Sequence, residues 1–360
     1  MDKIKVLFVT NHFRFSNGVA SVLRAMIDNL DQDKFDIHLL AIYDFNEEFA
    51  NPIMDKITVV KGFNFYFRGF DKIMECIPLK WLYKFFVKEK YDLEVAYQFG
   101  MPTRIISASP NSNKVCWMHG YDINHMLWEN YKKFNEIINV SQSGMQRLIS
   151  DGMDASKCDY CYNVVDENVI VEKTNEPIDI ERTHSVVFIM VGRLSVEKGG
   201  LRLLKCIESA GNVDAEFWIV GGGLQEEDMR QYIKEHNLSD RVKMTGAQKN
   251  PYKYMVKADI YLCCSFHEGF STTCQEAALL GLPVVSTDVS GSKELIETAG
   301  CGMVFTNDEQ GLIQGILTVC NDSNLLKMWK EVAYLNKKQF YKENRIKRIE
   351  STLIRNCKSH

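Results

Sequence analysis

Short hydrophobic runs alternate with helical patterns along the chain. Apolar, β-branched runs bounded by polar residues predict strands at residues 4–10, 35–43, 91–97, 114–117, 136–141, 186–191, 217–220, 242–245, 260–264 and 283–287. Between the first two of these runs, Val19 to Leu30 carries apolar residues at helical spacing. A strand, a helix and a second strand in this order make a βαβ unit, which requires a parallel sheet. The repeated alternation therefore predicts an α/β protein with doubly wound parallel sheets.

A polar stretch divides this pattern into two parts. Residues 167–184 show no periodicity, which is typical of a linker. With 360 residues the chain is long enough to form two separate cores. We therefore expect an N-terminal Rossmann-like domain at 1–168, a C-terminal Rossmann-like domain at 169–340, and a basic C-terminal helix within 341–360.

The composition limits the classes of partner and the compartment. The formal net charge of -4 gives no case for nucleic acid as a general partner. The eleven cysteines follow no framework spacing and the N-terminus shows no signal-peptide pattern, so we expect a reducing cytoplasm. Cys158 and Cys161 form a CxxC without a second pair, and we interpret them as ordinary thiols. No apolar run is long enough to span a bilayer, so any membrane contact is expected to be peripheral.

The candidate chemistry is concentrated in residues 258–288. Here a strand is followed by a small-residue turn and by a helix for which Ser271 or Thr272 is the expected N-cap. Because the first amides of a helix have no internal partner, this arrangement is an anion site. Glu268 precedes the turn and Glu276 follows it on the helix. Since a carboxylate accepts hydrogen bonds from neighbouring hydroxyls, the pair suits a polyhydroxylated ligand that also carries phosphate.

This segment resembles the donor site of the retaining glycosyltransferases of family 4, within the glycosyl transferases group 1. The resemblance lies in a Glu, seven residues and a second Glu, followed by Gly-x-Pro-Val-Val. It implies a GT-B fold, in which two Rossmann-like domains face each other across a cleft and the last helix crosses back to the N-domain. It also implies that Glu268 holds the donor sugar and Glu276 the ribose hydroxyls. The diphosphate would be held by the turn residues Gly269, Phe270, Ser271 and Thr272.

Further positions match the same family. His119 follows the strand at 114–117, in His-Gly-Tyr-Asp, and matches the N-domain histidine that faces the donor sugar. Arg193 and Lys198, in the loop after the strand at 186–191, match the family's cations that clamp the diphosphate. An Arg fork with a Lys point charge provides the charge that a diphosphate leaving group needs when no metal is present. Gly18 stands in the first loop, where family members often carry a glycine pair and a ligand approaches the backbone.

The resemblance implies transfer of a sugar with retention of anomeric configuration. The donor is expected to be a nucleotide sugar, a UDP-sugar ahead of a GDP-sugar, with no cofactor and no metal. The catalytic set is His119, Glu268, Arg193 and Lys198, and no covalent nucleophile is assigned. The acceptor is expected to be a glycan or a lipid-linked glycan in bacterial capsular or cell-surface polysaccharide synthesis. A GT-B sugar-nucleotide epimerase, a phosphorylase and a non-catalytic partner subunit of another glycosyltransferase remain as alternatives.

Two rival sites are disfavoured by spacing. Gly221 to Gly223 follows a strand, but Glu226 stands where a dinucleotide fingerprint needs its third glycine. Asp31 and Asp33 form an Asp-x-Asp between a helix and a strand, at the wrong edge of the sheet for a ligand crevice, so we do not expect it to hold a metal.

Residues 61–90 differ from their surroundings because they combine aromatic and basic side chains. They contain nine aromatics among seven Lys or Arg and three acids; the aromatics are Phe63, Phe65, Tyr66, Phe67, Phe70, Trp81, Tyr83, Phe85 and Phe86. Such a mixture suits the interface of an anionic membrane, with the protein at the inner face of the cell membrane. It is equally compatible with aromatic residues that fill the N-terminal core.

Overall fold

The computed structural model describes residues 3–15, 18–120 and 128–357 of the chain. The chain divides into two compact units. Unit 1 comprises Met1–Val164 together with Lys342–His360, and unit 2 comprises Val165–Tyr341. Each unit is built around its own parallel sheet.

The described residues of unit 1 form a seven-stranded sheet. Its strands are β1 (Ile4–Phe13), β2 (Phe35–Phe45), β3 (Ile57–Val60), β4 (Leu93–Ala96), β5 (Lys114–Met118), β6 (Glu136–Asn139) and β7 (Cys158–Tyr160). They lie in the order β3-β2-β1-β4-β5-β6-β7, and every neighbouring pair is parallel. The five strands predicted for this unit are confirmed. The two edge strands, β3 and β7, were not predicted; they are only four and three residues long and are partly exposed.

The helices of unit 1 cover this sheet. They are α1 (Gly18–Asn29), α2 (Glu47–Ala50), α3 (Phe70–Glu75), α4 (Leu79–Phe86), α5 (Met101–Ser107), α6 (Trp128–Tyr131) and α7 (Gln142–Ser150). The predicted cap of α7 is confirmed, since the Ser141 side chain accepts a hydrogen bond from the Gly144 amide. Strand residues such as Leu7 and Leu40 pack in one cluster with helix residues such as Leu82 and Ile105.

Unit 2 contains a six-stranded parallel sheet within the described residues. Its strands are β8 (Val186–Val191), β9 (Ala215–Val220), β10 (Val242–Gly246), β11 (Ile260–Cys263), β12 (Val284–Thr287) and β13 (Met303–Phe305). Its helices are α8 (Glu167–Glu172), α9 (Gly200–Ser209), α10 (Glu226–Glu235), α11 (Tyr252–Met255), α12 (Thr272–Leu279), α13 (Ser292–Ala299), α14 (Glu309–Asn321) and α15 (Ser323–Asn336). The strands lie in the order β10-β9-β8-β11-β12-β13. The prediction of two doubly wound Rossmann-like parallel sheets is confirmed.

The segment expected to be a linker begins with a helix. In α8 the Asp166 side chain caps the N-terminus by accepting a hydrogen bond from the Asn168 amide. This helix of six residues was not predicted, because it is too short to show a periodic pattern.

The strand order fixes where each unit can hold a ligand. In unit 1 the chain reverses its direction of winding between β1 and β4, and in unit 2 between β8 and β11. At such a switch point the loops that leave the two central strands run to opposite faces, and a crevice opens at the carboxyl ends of the strands. In unit 2 these are the loops after β8 and after β11, which carry Lys198 and Glu268.

The last helix, α16 (Lys342–Cys357), is part of unit 1. It was expected as a basic, amphipathic helix, and its cations have definite partners. Arg348 pairs with Asp159 at 2.6 Å, and Arg355 pairs with Glu136 at 2.6 Å. Ile349 and Leu353 are buried, which anchors the helix. Two arginines of α16 therefore pair with acidic residues of the sheet, so the basic side of this helix is not simply a solvated face.

The aromatic residues of segment 61–90 are divided between core and surface. Phe70, Tyr83 and Phe86 are buried in the core of unit 1. The exposed members are Phe65, Tyr66, Phe67, Trp81 and Phe85. Trp81 is 75% exposed and Phe85 is 57% exposed, one helical turn apart on α4. Core packing therefore accounts for only part of the aromatic content of this segment.

Candidate active site

The switch point of unit 2 brings together two residues that are distant in sequence. Lys198 Nζ lies 2.6 Å from Glu268 Oε1. Lys198 ends a short 3-10 turn, Val196–Lys198, after β8, and Glu268 lies in the loop after β11. Gly199 closes the turn with φ +72, and a Cβ there would lie 2.1 Å from the Cys264 carbonyl oxygen. A glycine is thus required for the two loops to approach each other.

The ion pair is partly shielded from water. The Lys198 and Glu268 side chains are 25% and 11% exposed. Burial acts to lower the pKa of Lys198, but the charge of Glu268 and its hydrogen bond outweigh burial and raise the pKa above its ordinary value. Ser265 Oγ donates a second hydrogen bond to Glu268 Oε1 at 2.7 Å. Both charges are therefore held in place before any ligand arrives.

The N-terminus of α12 lies in the same loop as Glu268. Ser271 is its N-cap, and its hydroxyl accepts a hydrogen bond from the Cys274 amide at 3.3 Å. Tyr261 fixes this end of the helix, since its hydroxyl donates to Thr273 Oγ1 at 2.7 Å and lies 3.2 Å from the Val191 carbonyl oxygen. Of the two predicted caps, Ser271 is the one used. The free amides and positive end of the helix dipole thus lie in the loop that carries Glu268.

Glu276 lies on α12 itself. Its Oε1 accepts a hydrogen bond from the Tyr252 hydroxyl at 3.2 Å. Burial raises the pKa of Glu276 to about 7, against the weaker opposing effects of Tyr252 and Lys173. The carboxyl group therefore changes its charge near neutral pH, which makes any hydrogen bond that requires the carboxylate dependent on pH.

A buried arginine supports the loop after β11 and was not predicted. Arg202 on α9 is 6% exposed. Its guanidinium donates to the carbonyl oxygens of Cys264 and Ser265 and to Asn307 Oδ1, and it packs 3.8 Å from the centroid of the Phe266 ring. The available signal was its spacing, since Arg202 shares a helix face with Cys206 one turn later, which is buried. Ser265 and Tyr252 gave no such signal in the sequence.

The other predicted residues of unit 2 lie in the same loops. Arg193 is exposed in the loop after β8. Gly269 precedes Phe270, which is 5% exposed and lies against Gly291. Thr272 is the first residue of α12. Gly221, the first of the three consecutive glycines, packs on the loop after β8, where a Cβ would lie 1.8 Å from the Gly192 carbonyl oxygen.

The predicted residues of unit 1 lie at the carboxyl ends of its strands. His119 follows β5 and stacks on Tyr97, which follows β4, with ring centroids 4.6 Å apart. Burial lowers the pKa of His119 to about 3, so its imidazole is neutral at physiological pH. Among the described residues, its buried Nε2 has no hydrogen-bond partner. Gly18 is the first residue of α1. Tyr121 and Asp122, which follow His119 in its motif, lie outside the described residues.

Two features are absent from the described ranges, 3–15, 18–120 and 128–357. No group of three or more His, Cys, Asp or Glu is arranged there to hold a metal ion. No helix in that part of the chain is both long and apolar enough to cross a membrane. The expected independence of a metal remains a prediction.

Comparisons with known proteins agree on the fold and on the family. The model of the family described as glycosyl transferases group 1 matches residues 172–336. An N-acetylgalactosamine-N,N'-diacetylbacillosaminyl-diphospho-undecaprenol 4-alpha-N-acetylgalactosaminyltransferase of Campylobacter jejuni is 27% identical over 345 residues, which cover 91% of this chain and 93% of that protein. An amylovoran biosynthesis glycosyltransferase of Erwinia amylovora is 30% identical over 224 residues, which cover 57% of this chain and 54% of that protein.

Solved structures give the same result for the fold. The crystal structure of HepE from Anabaena in complex with UDP matches with a TM-score of 0.70 and 19% identity, over 98% of this chain and 99% of that one. The fold is therefore of the GT-B type, as the two Rossmann-like units indicated.

Proposed function

We propose that this chain, whose residues 172–336 match the model of the glycosyl transferases of group 1, transfers a sugar from a UDP-sugar to a lipid-linked glycan, with retention of anomeric configuration and without a metal. The observation that carries this proposal is the pair of Lys198 and Glu268 in the loops that meet at the switch point of unit 2. A cation, a carboxylate and a helix N-terminus are the groups that a nucleotide diphosphate sugar requires.

When the donor binds, Lys198 and Glu268 separate and each takes a new partner. The diphosphate takes Lys198 as its counter-ion, together with Arg193 and the first amides of α12. Glu268 is then released to accept hydrogen bonds from sugar hydroxyls, while Ser265 still holds its Oε1. The ion pair in the free protein thus keeps both side chains in position. With the donor bound, Lys198 has the diphosphate as its counter-ion and Glu268 keeps hydroxyl groups as hydrogen-bond donors.

Cleavage of the donor requires stabilisation of the departing diphosphate. As the bond from the anomeric carbon to the phosphate oxygen breaks, negative charge grows on that oxygen. This oxygen is stabilised by the positive charges of Lys198 and Arg193 and by the partial positive charges of the amides near Ser271. These groups need no reorganisation when the negative charge develops. The acceptor oxygen forms its bond to the anomeric carbon on the leaving-group face, and its proton passes to the departing phosphate. The neutral imidazole of His119 serves to orient the sugar.

The choice of donor and acceptor is supported by the relatives. The Anabaena structure contains UDP, and the name of the Campylobacter relative specifies an acceptor on diphospho-undecaprenol and an alpha linkage. An alpha-linked product formed from an alpha-linked nucleotide sugar is retention. We assign the ribose hydroxyls of the nucleotide to Glu276, because a carboxylate accepts hydrogen bonds from two neighbouring hydroxyls.

The exposed aromatics of unit 1 suit an acceptor that is anchored in a membrane. Trp81 and Phe85 project from α4 between Lys80, Lys84 and Lys88, all of which are exposed. Apolar rings flanked by lysines are the composition that binds the interface of an anionic bilayer, and each Lys near such a surface contributes roughly 1 kcal/mol. We place the protein in the cytoplasm, in peripheral contact with the inner face of the cell membrane.

Donor turnover tests the catalytic proposal. The purified protein is incubated with a panel of nucleotide sugars, and release of the nucleoside diphosphate is followed without an acceptor. Slow hydrolysis of one UDP-sugar is expected. Conversion of the donor into an epimer, or turnover that requires phosphate, would identify an epimerase or a phosphorylase instead. No turnover and no binding of any nucleotide sugar would favour a non-catalytic subunit.

Vesicle co-sedimentation tests the membrane proposal. A variant with Lys80, Lys84 and Lys88 changed to Glu is compared with the wild type on vesicles with and without anionic lipid. A control variant makes the same change at three exposed lysines of unit 2, Lys205, Lys257 and Lys327. The first variant is expected to leave the anionic vesicles and the control to remain. Equal pelleting of the two variants would show that the α4 surface does not bind the membrane.

A further inference from the structure

A polar cavity lies in unit 1, at the opposite end of the sheet from the switch point. It occupies about 580 Å³ and is bordered by the residues that enter β5, β6 and β7 and by the end of α16. Parallel strands have their amino ends at one edge and their carboxyl ends at the other, so this cavity is separated by the length of the sheet from His119. Its volume lies within the range of pockets that hold small metabolites, about 300–1,000 Å³.

The lining of this cavity is strongly cationic. It includes Lys114, Lys133, Lys157 and Arg355, against Glu136 as its carboxylate. The charge of Arg355 is balanced, since Arg355 Nη2 donates to both oxygens of Glu136 and, at 2.8 Å, to Asp159. Glu136 also accepts from Asn356 Nδ2 at 2.6 Å, so its carboxylate is occupied by Arg355 and Asn356. The three lysines are therefore not neutralised by the acid in the cavity.

The contacts of the lysines show that they converge on one turn of the chain. Lys157 Nζ donates to the carbonyl oxygens of Lys132 and Phe134, on either side of Lys133. The Lys114 amide donates a hydrogen bond to Asn135 Oδ1, and the Asn135 amide donates one to the Lys114 carbonyl oxygen. Lys114 Nζ donates to the Ser109 carbonyl oxygen at 2.7 Å, and none of the three ammonium groups forms an ion pair with a described residue.

The electrostatics around Lys114 agree with this geometry. Burial lowers the pKa of Lys114, the charge of Lys133 lowers it further, and Glu94 on the neighbouring strand opposes both. Lys133 therefore lies near enough to Lys114 to repel it. Repulsion between cations that line one cavity is relieved when an anion enters between them.

We propose that this cavity binds the phosphate group of a small hydroxylated phosphate ester, at a site separate from the donor site of unit 2. Phosphate is favoured because three lysines line one cavity and none of them forms an ion pair within it, while the carboxylates of Glu94, Glu129 and Asp154 act on them from outside the lining. Ser112 and the second amide hydrogen of Asn111 add neutral hydrogen-bond donors for the remaining oxygens and for hydroxyls. The site rests on unit 1 alone and does not depend on the proposed transferase activity.

Titration calorimetry with glucose 6-phosphate tests the site, with glucose as the probe that lacks the phosphate. The full chain is expected to bind the ester and not glucose. The variant with Lys133→Gln and Lys157→Gln is expected to bind at least ~10-fold more weakly, since two charge-assisted contacts are lost. Lys132→Gln is the matched control, because Lys132 is exposed, pairs with Glu129 and does not line the cavity. Lys198→Ala, at the donor site, is expected to bind the ester normally.

The double variant could fold poorly because Lys157 Nζ donates hydrogen bonds to two backbone carbonyl groups. A second variant that leaves Lys157 intact is therefore tested as well. Lys133→Glu changes an exposed side chain alone and is expected to weaken binding by a similar factor. The proposal is overturned by equal affinity of the wild type and Lys133→Glu, by binding of glucose as strong as that of the ester, or by no binding of the ester at low salt.

Vesicles that contain phosphatidylglycerol distinguish a lipid headgroup from a free ester as the source of the phosphate. If Lys133→Glu no longer pellets with these vesicles while the Lys80, Lys84 and Lys88 variant still does, the site binds lipid headgroups. Pelleting that Lys133→Glu leaves unchanged, together with the expected calorimetry, assigns it to a soluble ester.

Discussion

Replacement of Glu276 by Gln is expected to change stability and nucleotide binding in opposite directions. The pKa of Glu276 rises from 4.5 to about 7 in the folded chain because the carboxyl is buried. In the unfolded chain the same group loses its proton near its ordinary pKa. Between these two values unfolding releases a proton, so the free energy of unfolding decreases as the pH rises through this window and levels off above pH 7.

The size of the decrease follows from the shift. A difference of about 2.5 pKa units at about 1.4 kcal/mol each gives an upper value of about 3.5 kcal/mol. Gln does not titrate, so the Glu276→Gln variant should lack this decrease. Urea unfolding at pH 5 and pH 8 measures it, with the exposed Glu297→Gln on α13 as the control. The stability of Glu276→Gln relative to the wild type should therefore rise between the two pH values, while that of the control should not.

Nucleotide binding should behave in the opposite way. The ribose hydroxyls need the carboxylate of Glu276, so UDP should bind the wild type about tenfold more tightly at pH 8 than at pH 6, since the ionised fraction changes by that factor around the pKa. Glu276→Gln should bind UDP more weakly at pH 8 and without this dependence on pH. Equal loss of stability in variant and wild type from pH 5 to pH 8 would refute the burial argument. Unchanged UDP affinity at pH 8 would separately refute the ribose contact.

Four further outcomes are expected. Lys198→Ala should lower donor turnover by roughly 10²-fold, because a fixed cation at the leaving group is lost; turnover within twofold of the wild type would remove Lys198 from this role. Turnover should persist in excess EDTA, and a loss that added metal restores would contradict the clamp of Arg193 and Lys198. His119→Gln should slow turnover without moving its pH profile, because the pKa of His119 is lowered to about 3 and the ring stays neutral from pH 5 to 9; a profile that shifts on substitution would show that the histidine titrates. Arg202→Leu should cost roughly 2–4 kcal/mol of stability by leaving buried carbonyl groups unpaired, whereas Lys205→Leu on the exposed face of α9 should change it little; equal melting temperatures would refute this support role.

Much of the fold and part of the site were predictable from the sequence. The runs at 186–191 and 260–264 are continuous and apolar because both faces of a parallel sheet are covered, and they became β8 and β11 nearly residue for residue. Ser271 was one of two expected caps because a hydroxyl before a helical pattern satisfies a free amide locally. The edge strands and α8 were not found, since short or half-exposed segments leave no periodic pattern.

The site was less predictable where its parts come from different segments. Glu268 and Lys198 were identified by family resemblance, but their direct contact at 2.6 Å was not expected. Arg202 and Tyr252 were missed because an arginine or a tyrosine in a helical pattern looks the same whether it faces water or supports a loop. The nine aromatics of segment 61–90 were open to two interpretations, and burial assigned Phe70, Tyr83 and Phe86 to the core.

The sequence by itself determined where the longer buried strands lie, where the helix at the donor loop begins, and which residue types are available for a diphosphate and a sugar. These properties depend on neighbours within one or two turns of the chain, so a linear pattern records them. Only the tertiary structure decided that β8 lies beside β11, and with it that Lys198 meets a carboxylate 70 residues away. It also decided that Glu276 is buried enough to titrate near neutral pH, and that three lysines of unit 1 line one cavity. Strand order and burial arise from the packing of the whole chain, and no local pattern contains them.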